Sequence, residues 1–113
     1  MSPITTHVLD VSTGRPAEGV AATLELFSGG HWNAIGKGAT NADGRIRDLL
    51  PDAHALAAGV YRLTFDTGAW FLSRHVAAFY PSVPIVFEIG STSEHYHVPL
   101  LLSPFGYSTY RGS

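Results

Sequence analysis

Apolar and polar residues alternate along several short stretches of the chain, with the period of two that is typical of strands buried on one face. The alternation is clearest in residues 20–27, and it returns in residues 60–66, 85–89 and 95–102. The positions that we expect to face a common core are Val20, Ala22, Leu24, Leu26, Tyr61, Leu63, Phe65, Ile85, Phe87, Ile89, Tyr96, Val98, Leu100 and Leu102. This pattern predicts a protein built mainly from strands.

Clusters of glycine, proline, asparagine and serine separate these strands from one another. The segments between the clusters predict three more strands, at residues 4–9, 32–40 and 45–47. Roughly seven or eight short strands at this spacing are typical of a β-sandwich. We therefore predict an all-β sandwich, formed as a single domain by residues 1–113.

One segment between the strands is predicted to be helical. Residues 67–76 have helical spacing, and Thr67 can cap the first turn. The apolar side of this helix carries Ala69, Leu72 and Val76. Residues 52–58 are compatible with a helix or with a long surface loop, since they combine several alanines with the preceding Pro51. One short helix is therefore expected, and a second is left open.

Composition narrows the class of protein further. The formal net charge is −2 with neutral histidines, which argues against a nucleic-acid partner and against binding to a membrane through a polybasic surface. The chain has no cysteine, so disulfides, thiol nucleophiles and thiolate metal sites are excluded. No apolar run approaches the roughly 18 residues of a membrane span, and the first residues do not resemble a secretory signal. We therefore expect a cytoplasmic protein.

Three histidines and one arginine are the candidates for chemistry. His95 and His97 alternate with the core positions of their strand, so both imidazoles are expected on the face that points away from the core. His7 lies in the middle of the first strand, and Arg45 follows the tight turn at residues 41–44. Each of these residues, taken alone, is also compatible with an ordinary surface position.

Other catalytic and metal-binding motifs are poorly supported. His95 and His97 have the spacing of two metal ligands on one strand face, but no cysteine or cluster of carboxylates supplies a third ligand. The chain has neither a GxSxG nucleophile motif nor a P-loop. Residues 103–113 form a turn and then a short segment with two aromatic rings and a guanidinium. Because chain ends fray unless contacts hold them, we expect this segment to be tied down.

Three parts of the chain resemble the sequence motifs of one known family. The N-terminal motif of the transthyretin-like family is similar to ITTHVLD at residues 4–10, followed by GRPA at residues 14–17. Its middle motif is similar to TNADGR at residues 40–45, and its C-terminal motif to LLSPFGYSTYRGS at residues 101–113. The sequence YRGS at residues 110–113 is similar to the enzymatic branch of this family and differs from the thyroid-hormone carrier.

The resemblance implies a transthyretin-like β-sandwich of two antiparallel sheets with one short helix. It also implies hydrolysis of 5-hydroxyisourate, in which water opens the six-membered ring and gives 2-oxo-4-hydroxy-4-carboxy-5-ureidoimidazoline during urate degradation. Members of this branch act on this small-molecule substrate without a metal or other cofactor. They are homotetramers, built as dimers of dimers, with active sites in the channel where the dimers meet.

The resemblance also assigns the site residues. The catalytic positions of the family fall on His7, Arg45 and His97. The positions expected to bind substrate are His7, Arg45, Ser108, Tyr110, Arg111, Gly112 and Ser113. An imidazole suits proton transfer from water, because its pKa of about 6.5 lies near neutral pH. We expect His97, with His7, to handle the water and its proton, and Arg45 to bind substrate and stabilise the oxyanion. Which imidazole is base and which is acid is left open.

Two other functions are compatible with the same fold. A transthyretin-like carrier would bind a small aromatic ligand without turnover, and a structural sandwich would only pair with a partner protein. The polar set of His7, Arg45 and His97 favours the hydrolase, because a carrier would line its channel with apolar side chains.

Overall fold

The computed structural model describes residues 2–113, which form two sheets packed face to face and one short helix. The strands are β1 (Ile4–Asp10), β2 (Arg15–Pro16), β3 (Ala21–Ser28), β4 (His31–Ala39), β5 (Arg45–Ile46), β6 (Gly59–Phe65), β7 (Val83–Ile89), β8 (Tyr96–Ser103) and β9 (Gly106–Thr109), and helix α1 (Thr67–Ser73) lies between β6 and β7. One sheet has the order β2-β1-β8-β9, with β5 also paired to β1. The other has the order β4-β3-β6-β7. The predicted sandwich with one short helix is confirmed.

The core lies between the two sheets, and the predicted inward positions occupy it. All of them are buried except Leu26 and Phe87, which are half-buried against the same core. Complete burial of one such aliphatic or aromatic side chain contributes about 1.5–3 kcal/mol, and a shift of register by one residue would expose the whole set. The buried side chains of β1 and β8 therefore determine which side chains of these strands lie on the outer face.

Strands β1 and β8 pair in parallel, which differs from the wholly antiparallel arrangement that we expect from the family resemblance. The other strand pairs of residues 2–113 are antiparallel. A parallel pair needs a long connection, and most of the chain lies between β1 and β8. The register of this pair sets Thr5 opposite His97 and His7 opposite Pro99.

Helix α1 is shorter than predicted, and a different side of it faces the core. Asp66, rather than Thr67, is the residue at its N-cap, and the chain leaves the helix after Ser73. Its buried residues are Thr67, Trp70 and Phe71. Their i, i+3, i+4 spacing brings the two largest side chains of the segment onto the core. The side that we predict to be apolar is exposed, at Ala69, Leu72 and Val76.

The open question at residues 52–58 is resolved in favour of a loop. Two neighbouring residues, Leu49 and Leu50, are fully buried and anchor the start of this connection in the core. The hydroxyl of the buried Ser2 accepts a hydrogen bond from the Leu50 amide at 3.0 Å and another from the Ile4 amide at 3.1 Å. A long loop with these anchors satisfies its backbone without forming a helix.

The turn before β5 depends on a glycine. Gly44 has a φ of +76°, and an added Cβ would lie 2.5 Å from the Val8 carbonyl oxygen. We expect Gly44→Ala to lower the free energy of unfolding by roughly 2 kcal/mol or more, because it adds a steric clash to the strain of a positive φ.

The matched control for this prediction is Gly14→Ala. Gly14 has nearly the same φ, +74°, but an added Cβ there would have no atom within 4 Å. Only the backbone strain applies, so we expect a loss of about 1 kcal/mol. Urea titrations of both variants and the parent protein measure these losses. Equal losses in the two variants would contradict the steric part of this account.

Candidate functional site

The outer face of the sheet that contains β1, β5 and β8 brings together the three residues predicted to be catalytic. His7 lies opposite Arg45 in the antiparallel pair of β1 and β5. His97 lies opposite Thr5 in the parallel pair of β1 and β8. Side chains directly opposite each other point to the same face of a sheet, and residues 5 and 7 share a face of β1. His7, Arg45 and His97 are each half-buried on that face.

A cleft of about 350 Å³ opens on this face. It is lined by Thr5, Thr6, Arg45, Arg47, His95, His97 and Ser113. His7 is not part of this wall but lies beside it, through its register with Arg45. Of the three residues predicted to be catalytic, His97 and Arg45 therefore line one cleft together with Ser113, and His7 lies next to it.

Contacts on two sides hold the imidazole of His97. Its Nδ1 lies 2.8 Å from the Thr5 hydroxyl oxygen. On the other side, Gly112 donates its amide hydrogen to the His97 carbonyl oxygen at 2.8 Å. Gly112 also lies close to the ring, since a Cβ added to it would be 2.6 Å from His97 Cδ2. Because Nδ1 is engaged by Thr5, Nε2 is the ring nitrogen left for a ligand.

The environment of His97 lowers its pKa below the usual 6.5. Burial has the largest effect, followed by the positive charges of Arg45, His7 and His95, while a hydrogen bond with the Thr5 backbone acts in the opposite direction. Burial and nearby cations both disfavour the imidazolium form. His97 is therefore predominantly neutral at pH 7 and can accept a proton.

The pKa of His97 gives a prediction that does not depend on any substrate. In an NMR titration of the imidazole, the midpoint for His97 is expected below 6.5, and Arg45→Met is expected to raise it by removing a nearby positive charge. Arg47→Met is the control, because Arg47 lines the same cleft but does not lower this pKa. A midpoint above 6.5 in the parent protein, or equal shifts in the two variants, would contradict this electrostatic account.

The predicted substrate-binding residues of the C-terminal segment do not all lie at this cleft. Ser113 lines it and Gly112 lies against the His97 ring, whereas Tyr110 and Arg111 line a neighbouring groove beside β7, which His97 also lines. Arg111 stacks on the Tyr96 ring, with its guanidinium carbon 4.5 Å from the ring centre, and forms an exposed ion pair with Glu94. Within one chain, these contacts direct Arg111 away from the cleft.

Ser108 also lies away from the cleft in the single chain. It is an exposed residue of β9, opposite Leu101 in the pair of β8 and β9. The cleft is lined instead by residues at the other end of β8. Any contact of Ser108 with a ligand in this cleft therefore needs an assembly of several chains.

The sequence pattern alone does not single out Thr5. Its side chain is only 6% exposed, and its hydroxyl oxygen lies 2.9 Å from His95 Nε2 and 2.8 Å from His97 Nδ1. The only feature of the sequence that points to Thr5 is its position two residues before His7, which places both side chains on the same face of β1. Its contact with the two imidazoles follows from the register of β1 and β8, which the sequence does not specify.

Residues 2–113 contain no group of three or more histidine, aspartate or glutamate side chains arranged to hold a metal ion. The facing ring nitrogens of His95 and His97 instead share the hydroxyl of Thr5. Within residues 2–113, no helix is long and apolar enough to cross a bilayer.

Comparison with known proteins identifies the family. A model of the HIUase/Transthyretin family matches residues 4–112. This chain belongs to that family. The family resemblance inferred from the three sequence motifs is therefore confirmed, and the match includes β1, β5, β8 and most of the C-terminal segment.

Named members of the HIUase/Transthyretin family are similar over nearly the whole chain. The 5-hydroxyisourate hydrolase of Salmonella typhi is 49% identical over 110 residues, which cover 97% of this chain and 80% of that protein. The 5-hydroxyisourate hydrolase 2 of Rhizobium meliloti is 46% identical over 114 residues, which cover 97% of this chain and 95% of that protein. Both matches cover nearly the whole chain, so they include the strands that carry the site as well as those of the core.

Two solved structures of the family superpose on the chain. The Klebsiella pneumoniae 5-hydroxyisourate hydrolase has a TM-score of 0.85 and 43% identity, covering 97% of this chain and 98% of that one. Sea bream transthyretin in complex with thyroxine has a TM-score of 0.92 and 34% identity, covering 98% and 95%. The backbone is thus no less similar to a hormone-binding protein than to a hydrolase. Only the site residues can separate the two functions.

Proposed function

We propose that this chain is a 5-hydroxyisourate hydrolase, which opens the six-membered ring of 5-hydroxyisourate with water to give 2-oxo-4-hydroxy-4-carboxy-5-ureidoimidazoline in urate degradation. The observation that supports this most strongly is the meeting of a neutral His97 and the Arg45 guanidinium at one cleft. The high identity to named hydrolases over nearly the whole chain supports it independently. The chain acts as a single transthyretin-like domain in the cytoplasm.

The first chemical step is the attack of water on a ring carbonyl. His97 Nε2 accepts a proton from the water while the water oxygen forms a bond to the carbonyl carbon. The lowered pKa of His97 keeps this nitrogen free to accept the proton. The forked donors of Arg45 hold the planar substrate and stabilise the negative charge that develops on the carbonyl oxygen.

Ring opening follows when the tetrahedral intermediate collapses. The bond between the carbonyl carbon and the ring nitrogen breaks, and the departing nitrogen receives a proton from an imidazole of this face. His7, opposite Arg45 in the pair of β1 and β5, lies beside the cleft and supplies a second imidazole to this face. Ser113, which lines the cleft, is placed to orient the attacking water.

The assembly that we propose is a homotetramer, a dimer of dimers with its sites where the dimers meet. In one chain taken alone the cleft is open to solvent, and Tyr110, in the neighbouring groove, is 58% exposed. A second chain packed on the outer face would enclose the cleft and bring Tyr110 and Ser108 within reach of the substrate. Sedimentation equilibrium is expected to give the mass of four chains, and a monomer would contradict this part of the proposal.

A coupled assay tests the proposed activity. Purified protein is added to urate and urate oxidase, and the near-ultraviolet absorbance of 5-hydroxyisourate is followed as it decays. The expected result is a decay rate that increases in proportion to the protein concentration. If the decay stays at its spontaneous rate, the protein is not this hydrolase, and the carrier function, which the similarity to thyroxine-bound transthyretin favours, becomes the better explanation.

The contact between the C-terminal segment and His97 gives a prediction in this assay. Gly112→Ala places a methyl group against His97 Cδ2, and the ring cannot move away without stretching its hydrogen bond to Thr5. We expect kcat to fall roughly 10-fold or more, because small displacements of a catalytic group are costly. The melting temperature should change little, since the tail contributes little to the core.

Gly106→Ala is the control for Gly112→Ala. Gly106 belongs to the same C-terminal hairpin, but an added Cβ there would have the Ser103 hydroxyl oxygen at 3.7 Å as its nearest neighbour. The variant is expected to keep the parent rate. Loss of activity in both variants would show that the hairpin as a whole, and not the contact with His97, controls the rate.

A further inference from the structure

A single buried hydroxyl lies between two imidazoles of the cleft. The oxygen of Thr5 is 2.8 Å from His97 Nδ1 and 2.9 Å from His95 Nε2, both within hydrogen-bond distance. A hydroxyl has one proton to donate and can also accept. Thr5 can therefore donate to one imidazole only while it accepts from the other. The protonation states of the two rings are coupled through it.

We propose that Thr5 is a positioning residue that presents Nε2 of His97 to the substrate, and that it links His97 to His95 as a two-imidazole proton relay. This inference rests on the proposed hydrolase function and extends it, because it explains how His97 alone can serve as both base and acid. His95 also lines the cleft, and its part in the proton transfer is played through Thr5.

The relay balances every proton of the reaction. In the resting state His97 donates its Nδ1 hydrogen to Thr5, and Thr5 donates its hydroxyl hydrogen to His95 Nε2. When His97 Nε2 takes a proton from water, the Nδ1 proton passes to the Thr5 oxygen and the hydroxyl proton passes to His95. His97 is then neutral with its proton on Nε2, and His95 bears the positive charge.

The second half of the reaction reverses this transfer. His97 donates its Nε2 proton to the departing ring nitrogen as the carbon–nitrogen bond breaks. His95 returns its proton to Thr5, and Thr5 returns one to His97 Nδ1, which restores the resting state. Water has then supplied one proton to the nitrogen and a hydroxyl group to the carbonyl carbon.

Charge and exposure favour storing the positive charge on His95. His97 is half-buried and is faced by His7 from β1 and Arg45 from β5, so an imidazolium at this position is disfavoured. His95 is exposed to solvent just before β8. Arg45 and Arg47 line the same cleft, and the charged groups beside His95, Glu94 and Arg111, form an ion pair with each other. Moving the charge from His97 to His95 therefore carries it from a half-buried position to one exposed to solvent.

Kinetics of Thr5 variants test the relay. Thr5→Val keeps the β-branched shape of the buried side chain but removes the hydroxyl, and we expect kcat to fall about 10-fold or more while KM changes little. Thr5→Ser restores a hydroxyl and is expected to recover most of the rate. A Thr5→Val enzyme with the parent kcat would overturn the proposal, as would a Thr5→Ser enzyme no faster than Thr5→Val.

The double variant separates a relay from two independent effects. His95→Phe is expected to lower kcat about as much as Thr5→Val, since each breaks the same path. Thr5→Val with His95→Phe should be no slower than either single variant, because residues that act as a unit are not additive. If the two losses multiply, the relay is wrong. Thermal unfolding of each variant controls for misfolding.

NMR distinguishes a failure of this inference from a failure of the proposed function. Nitrogen-15 shifts of the His97 ring in the parent protein are expected to show hydrogen on Nδ1 and none on Nε2 at pH 7, and Thr5→Val should lose this preference. A parent protein with the hydrogen on Nε2 would overturn the inference whatever its activity. A parent protein with the expected tautomer but no hydrolysis would overturn the proposed function only.

Discussion

Replacing His97 by alanine is expected to lower kcat on the order of 10²-fold or more, because it removes the group that takes the proton from water. The protein should still fold, since His97 is half-buried on the outer face and the core of β8 lies on the opposite side of the strand. The measurement is the decay of 5-hydroxyisourate at a series of enzyme concentrations. Circular dichroism verifies that the variant keeps its strands.

Two further variants make the His97→Ala experiment specific. His31→Ala removes an exposed imidazole at the start of β4, in the other sheet, and should leave the rate unchanged. His7→Ala should have a smaller effect than His97→Ala, because His7 lies beside the cleft and not in its wall. If His97→Ala keeps the parent turnover and His7→Ala does not, the base has to be reassigned to His7.

Arg45→Met is expected to lower kcat/KM by about 10²-fold, which is the usual cost of losing one donor to a developing oxyanion. Arg45 also binds the planar substrate, so we expect KM to rise as well as kcat to fall. Arg45→Lys keeps the positive charge but loses the forked geometry, and is expected to recover only part of the loss. Initial rates over a range of substrate concentrations separate the two constants.

The control for Arg45→Met is again Arg47→Met, two residues along the chain and in the same cleft. Arg47 is exposed and lies just beyond the paired residues of β5, so its loss should weaken the general attraction of substrate without affecting the oxyanion. A change of a few-fold in KM is expected, with kcat preserved. Equal losses of kcat in the two variants would mean that only the positive charge of the cleft matters.

The alternation of apolar residues predicted the core of both sheets because burial on one face determines a strand's pattern directly. It placed Tyr96, Val98 and Leu100 inside and therefore His97 outside. It could not predict which strand lies beside β8, because a period of two contains no information about partners or direction. The parallel pairing of β1 with β8, which brings Thr5 to His97, had to come from the three-dimensional structure.

The helix shows where local pattern and packing disagree. Spacing alone favoured a side with Leu72 and Val76, but the protein buries Trp70 and Phe71 instead. The indole nitrogen of Trp70 donates to the Glu18 carbonyl oxygen at 2.7 Å, a distant contact that fixes the helix orientation and that no local pattern contains. In so short a helix, tertiary contacts decide which side is buried, and the spacing of apolar residues along the chain does not.

The C-terminal segment was predicted as one functional unit, but the single chain divides it. Gly112 and Ser113 lie against His97 and the cleft, whereas Arg111 points to Tyr96 and Glu94. In the tetramer proposed above, the residues of this motif act together across several chains, so the path of one chain need not bring all of them to one point. Gly112 contacts the His97 ring because it has no side chain. The sequence shows the glycine but not the ring that lies against it.

The most direct test of the site is a crystal structure of the protein with an unreactive, planar analogue of the substrate. The analogue is expected on the outer face of the sheet, with a carbonyl oxygen within about 3.2 Å of the Arg45 guanidinium and its ring edge facing His97 Nε2. An analogue bound instead in the groove beside Tyr110 and Arg111, with no contact to Arg45, would contradict the account.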